Sequence, residues 1–329
     1  MKNKKNIDPT QLKKLIDLWS DIHAPIVKSY QANVADENSF MNFHTALECC
    51  ISFQGNINTG SNRIVKYAEG LLQQSVEPIA NLYNEDLWKK AVDYFTQHIH
   101  DKNNIRMHYV FHLKNILRVS SEERRNILID LLATLYKKRF SENTSNSNQY
   151  TKTLFEIMEE YELINKYYKL FQPVTFDNDL NIKLITTFID NNEIKAAEQH
   201  CQKQIQSNYR EEYNVPYLEL LKEIYTLEND EVNLSKVLSQ LFPYTYNFDD
   251  FLYIYDRMQD VEEKKKWRTK ILSRARTASG NYNKAATEFT FQLMDHEKKY
   301  LKMIDYIDSG TPYHLIPQYL WSLPIKQGY

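Results

Sequence analysis

Residues 188–205 read FIDNNEIKAAEQHCQKQI: a helix, a short polar corner, and a second helix that opens with Ala196 and Ala197. Small residues at those two positions allow another helix to approach closely. The alternation of polar corner and helical stretch recurs five times, at Tyr161 (EEYELINKYYKL), Glu193, Glu231 (NDEVNLSKVLSQL), Val261 (QDVEEKKKWRTKIL) and Glu297 (DHEKKYLKMIDYI). The starts are 32, 38, 30 and 36 residues apart, an average of 34. That is the length of one helical hairpin, a unit that buries its apolar face only by stacking on its neighbours.

Composition agrees with a helical chain. Gly occurs 6 times and Pro 9 times in 329 residues, too few turn-formers for an all-β protein with a turn every ten residues or so. The prolines read as punctuation: Pro9 opens the first helix behind Asp8, and Pro173, Pro216 and Pro243 fall between expected hairpins. The 41 basic and 43 acidic side chains leave a formal charge of −2, which excludes the global positive field of a dedicated nucleic-acid binder. Cys49, Cys50 and Cys201 cannot all pair, so a reducing compartment is expected. The opening MKNKKNIDPTQLKKLIDLW lacks the apolar core of a secretory leader, and even ILIDLLATLY at 127–136 is interrupted by Asp130. A cytoplasmic protein with no membrane partner is the expectation.

Leu12, Leu15, Ile16 and Trp19 follow the i, i+3, i+4, i+7 rule and predict a helix over 9–23 that Pro25 ends or kinks. Further helices are expected near 39–54, 61–81, 84–100, 104–118 and 121–139, with GNINTGSN (55–62) as the clearest turn. Residues 141–149, SENTSNSNQ, hold no apolar side chain and are the expected boundary. The predicted organisation is an N-terminal helical bundle (1–140), a polar linker (141–150) and a helical-repeat domain with a C-terminal cap (151–329). The repeat half comprises hairpins at 151–172, 178–207, 215–242, 248–277 and 282–308. The fold class is all-α, a bundle followed by an α-solenoid.

The stretch 188–205 resembles a tetratricopeptide-type hairpin, and residues 151–308 are similar to the α-solenoid superfamily at large; the other four copies lack small residues matching Ala196 and Ala197. The resemblance implies a concave surface used to bind protein partners. Residues 40–140 with the hairpins after them also resemble the helical region that follows a SWIM-type zinc finger in some bacterial proteins, although the finger's own Cys-x-Cys…Cys-x-His ligands are absent.

Three groups of residues could carry chemistry. His98, His100, His108 and His112 lie within fifteen residues, and His108 with His112 stands i, i+4, a spacing that binds Zn²⁺ through two imidazoles; the residues between them, Tyr109, Val110 and Phe111, include no base. The plainer reading is histidines at a helix junction. Residues 264–276, KKKWRTKILSRAR, could set Lys264, Lys265, Lys266, Arg268 and Arg274 against phosphates with Trp267 stacking on a base; the alternative is a solvated outer face. Pairs such as Asp249–Asp250 and Glu211–Glu212 read as surface charges or caps. No nucleotide-loop, nucleophile-elbow or His-Glu-x-x-His motif is present. The expectation is a non-catalytic scaffold without cofactor that binds a protein or peptide partner on 151–308, with nucleic-acid association through 264–276 as the alternative.

Overall fold

A computed structural model describes residues 5–100, 105–141, 148–174, 177–307 and 311–320. The fold is all-α apart from one two-residue strand pair. The chain divides into two compact units, Met1–Val174 and Thr175–Tyr329. The helical pair expected at 151–172 therefore stands with the first unit. Most of the polar stretch expected as a linker, 142–147, lies outside the described residues, as do 321–329 of the expected cap.

In the first unit, β1 (Lys5–Asn6) precedes α1 (Pro9–Ala32). Asp8 caps α1 by accepting from Thr10 N at 2.8 Å and Gln11 N at 3.0 Å, and Gln11 Oε1 accepts from Asp8 N. The helix does not stop at Pro25. Val27 and Tyr30 continue the buried stripe of Leu12 and His23 beyond it, and this burial outweighs the one hydrogen bond that proline cannot make. α2 (Glu37–Asn56) runs into the expected turn at 55–62, and β2 (Ile57–Asn58) then pairs in parallel with β1, with Ile57 buried.

The single helix expected at 61–81 is two, α3 (Arg63–Gln73) and α4 (Val76–Ala80). Ser75 breaks it by turning its hydroxyl back onto Leu72 O at 2.7 Å, the local competition that disfavours serine inside helices. α5 (Glu85–Gln97), a 3₁₀ turn at His98–His100, α6 (Ile105–Val119), α7 (Glu122–Ser141), α8 (Asn148–Glu160) and α9 (Ile164–Tyr167) complete the unit. α6 is its centre: it touches α2, α3, α4, α5, α7 and α8, and buries Tyr109, Val110, Leu113, Ile116 and Leu117.

The second unit contains α10 (Asn178–Asp190), α11 (Ile194–Ser207), α12 (Val215–Leu227), α13 (Glu231–Thr245), α14 (Phe248–Arg257), α15 (Val261–Gly280), α16 (Lys284–His296), α17 (Tyr300–Ile304) and α18 (Leu315–Leu320). From α10 to α14 each helix packs on the next, as do α15, α16 and α17; α10 also meets α12, and α14 meets α16. Pro243 lies inside α13 rather than between hairpins. α18 returns onto α16 and buries Leu315 and Tyr319.

Five corners share one backbone solution. Glu162, Asn192, Asn229, Tyr282 and Lys298 all have left-handed φ, between 55° and 62°. Behind each, the next N–H reaches back five residues: Leu163 to Met158 O, Glu193 to Phe188 O, Asp230 to Tyr225 O, Asn283 to Ala278 O and Lys299 to Met294 O, at 2.7–3.1 Å. This is the Schellman closure, built here without glycine. At Asp230 and Asn283 the residue that ends one helix also caps the next, accepting from Asn233 N and Ala286 N.

The expected corner at 261 is different: Met258 is extended, and Asp260 caps α15 through Glu263 N. The corner at 282 joins the expected fourth and fifth hairpins. Counted from the left-handed residue, Ala286 stands four places after Tyr282 as Ala196 stands after Asn192, and Ala286 is fully buried.

Candidate functional site

A groove of about 890 Å³ opens in the second unit, walled by the 3₁₀ turn at 211–214, α12, α13 and α15. Its lining is largely amide and hydroxyl: Asn214, Ser239, Gln240, Tyr244, Tyr246, Ser273, Thr277 and Asn281, with Leu218, Pro243 and Ala278 as the apolar part. Glu211 accepts a hydrogen bond from Tyr244 Oη at 3.1 Å. Burial, and then Glu211, push the Tyr244 hydroxyl pKa above its ordinary value; burial does the same to Tyr246, against which Arg274 acts. Arg274 is exposed and makes no ion pair among the described residues.

The local reasons for this geometry are visible in α15. Ile271, Leu272 and Ala275 are buried and define its inner face. Ser273, Arg274, Thr277 and Ala278, half a turn round, form the groove wall. The helix runs uninterrupted because Glu262 and Glu263 suit its first turn and no β-branched run or proline follows.

The structure separates the residues of the basic run. Trp267 stacks on Phe251, centroids 5.1 Å apart and planes 14° apart, so its face is occupied by core packing rather than open to a base. Arg268 forms a two-pronged ion pair with Glu297, which Lys299 also contacts at 2.7 Å, and together they hold the Glu297 carboxyl below its usual range against the opposing effect of burial. Lys264 lies over the Tyr255 ring and 4.0 Å from Asp256, and Arg276 lies over Tyr306. Lys265 and Lys266 point to solvent.

The histidine side chains that the structure describes do not converge. His98 stacks on His44 at 4.3 Å, and His44 Nδ1 is 2.6 Å from Tyr109 Oη. His108, half-buried, faces Glu69 at 3.9 Å, and burial lowers its pKa despite that carboxylate. His112 is fully buried; its Nε2 meets Ser75 Oγ at 3.1 Å, and because Ser75 donates to Leu72 O, the proton belongs on Nε2. Burial drives the His112 pKa down to about 3. The side chain of His100 lies outside the described residues.

Ser75 and His112 are a hydroxyl and an imidazole in contact, and both are buried. Among the described residues no three His, Cys, Asp or Glu side chains are placed to hold a metal ion. No helix among them is long and apolar enough to cross a membrane.

Sequence reasoning gave two residues other roles than the structure does. Asp250 is not a surface charge: it is buried and ion-paired with Lys222 at 2.7 Å. Arg274 matters as a groove wall rather than as the end of a basic run. The signal for it was the i, i+3, i+4 set of Ser273, Arg274, Thr277 and Ala278 opposite an apolar stripe.

No protein-family model matches this chain, and no curated protein matches it.

Proposed function

We propose that the chain is a non-catalytic scaffold or adaptor. On this reading its second unit, with the hairpin before it, is an α-solenoid of the tetratricopeptide-like kind, working in the cytoplasm and holding a protein or peptide partner along the groove between α12, α13 and α15. One observation carries the reading: walls from successive helical elements present amide and hydroxyl groups with Arg274 uncompensated beside them. Such a surface suits the polar backbone of a polypeptide, whose N–H and C=O groups need partners when they leave water. The repeated corners support the solenoid part, because one closure geometry used five times stacks like units. Nucleic-acid association is the weaker reading, since Trp267 is engaged with Phe251 and two of the cations with acids.

The test is affinity purification of the tagged chain from its native cells with and without nuclease, beside a Thr277→Trp variant that fills the groove. A stoichiometric, nuclease-resistant partner lost on the variant is the expected result. Recovery that vanishes with nuclease selects the nucleic-acid reading, and a partner unaffected by Thr277→Trp removes the groove from the account.

A further inference from the structure

Resting on the partner-binding reading, we propose that the occupant of the groove is an extended peptide segment with carboxylates at alternate positions, aligned on a cationic stripe of α15. The stripe is Lys266, Lys270 and Arg274, at steps of four residues along one side of α15; Arg274 lines the groove beside Ser273 and Thr277, and Lys266 and Lys270 continue the stripe along the helix outside that lining. All three are exposed, and none makes an ion pair among the described residues. Their neighbours differ. Lys264 and Arg268 on the same helix are neutralised by Asp256 and Glu297. The acids nearest in sequence, Glu262 and Glu263, sit in the first turn of α15.

Like charges at i, i+4 weaken the helix that carries them. A counter-charge from outside relieves that repulsion, so the free protein is complementary to an anion. The spacing says which kind. Four helical residues rise about 6 Å, and side chains on one face of an extended chain recur about every 6.7 Å. Over two steps the mismatch is about 1.4 Å, which flexible lysine stems take up.

A helical ligand with acids at i, i+4 has the same pitch as the stripe, but helices dock through a continuous apolar face, and here Leu218, Pro243 and Ala278 are interspersed with amide and hydroxyl side chains. Ser239, Gln240 and Thr277 instead suit the main chain of an extended segment. A nucleic-acid backbone matches less well, because no aromatic face on α15 is open for base stacking.

The experiment is selection of random twelve-residue peptides displayed on phage against the immobilised full-length protein. Three variants follow: Lys270→Glu with Arg274→Glu on the stripe, Lys265→Glu off it, and Thr277→Trp in the groove. Winners are then made as labelled peptides and titrated by fluorescence anisotropy, beside a twelve-nucleotide single strand. The expected winners carry Asp or Glu at i, i+2 and i+4, lose binding about tenfold or more on the double reversal, weaken with salt, and ignore Lys265→Glu. Replacing their acids by Gln or making the acids consecutive lowers affinity to a similar degree.

Winners without acid periodicity that are still lost on Thr277→Trp overturn the acidic-peptide proposal and leave the groove reading standing. Acids spaced at i, i+4 overturn the extended conformation. Absence of winners, or winners indifferent to Thr277→Trp, overturns both readings, and a single strand that binds more tightly than any peptide replaces them with nucleic acid.

Discussion

The Lys222 ammonium stands 2.7 Å from the Asp250 carboxylate and joins α12, the first helix of one hairpin, to α14, the first helix of the next. The acid is almost wholly buried, while the lysine keeps about a third of its side chain in water, 31%. Removing the lysine strands a desolvated anion. Lys222→Met is therefore expected to cost about 2 kcal/mol, the low end for breaking a buried pair because water reaches the lysine side. Adding Asp250→Asn to that variant restores part of the loss. Urea denaturation of the wild type and the two variants measures both values, and a loss below about 0.5 kcal/mol for the single variant refutes the burial argument.

Acid should unfold the first unit before the carboxylates protonate. His112 titrates near 6.5 in the unfolded chain and at about 3 in the folded one. Above pH 6.5 it is neutral in both states and its stability contribution is complete. As pH falls from 6.5 towards 3 the unfolded chain takes up a proton that the folded chain refuses, so stability declines by about 2 kcal/mol by pH 5. His23 and His108, in the same unit, are lowered by burial and act in the same direction. His112→Leu should flatten the curve between pH 7.5 and 5 relative to wild type in thermal unfolding; parallel curves would mean that His112 is not the source.

Tyr282, Lys298 and Glu162 adopt left-handed backbone at a cost that glycine does not incur. Tyr282 is 78% exposed, so its ring adds little packing to offset this. Tyr282→Gly is expected to stabilise by about 0.5–1 kcal/mol after the extra freedom of the unfolded glycine is counted, and to raise Tm by about 2 °C. Tyr282→Val should lower Tm instead, since a β-branched residue tolerates this conformation least. Calorimetry on the pair decides the sign.

Trp267→Ala is expected to destabilise by about 2–3 kcal/mol, because Phe251 loses its stacked partner and a void opens beside Tyr255. A surface tryptophan kept for base stacking would instead tolerate the change within about 0.5 kcal/mol. Chemical denaturation separates the two.

The helices were legible because their apolar periodicity is local, and the corners were legible because Asn, Asp and Glu cluster there. What escaped reading depends on contacts distant in sequence. Nothing near Pro25 announces that Val27 and Tyr30 are anchored in the core, and nothing near Ile57 announces that Lys5 lies alongside it. The basic run looked uniform because its partners come from elsewhere: Glu297 is 29 residues from Arg268, and Phe251 belongs to another helix than Trp267. The groove follows the same rule. Its lining is drawn from residues 211 to 281, and no window of sequence holds enough of it to be seen.

The left-handed residue at each Schellman corner also governs where the chain can change length. Inserting one residue at Asn192 would swing α11 by about 100° and turn Ala197 and Cys201 away from the interior they now fill. The seven residues between α11 and α12, 208–214, impose no such phase, because only a 3₁₀ turn and loop lie there. Insertions should therefore be accepted at 208–214 and rejected at the five Schellman corners, including the one at Tyr282 that stands between two of the expected hairpins.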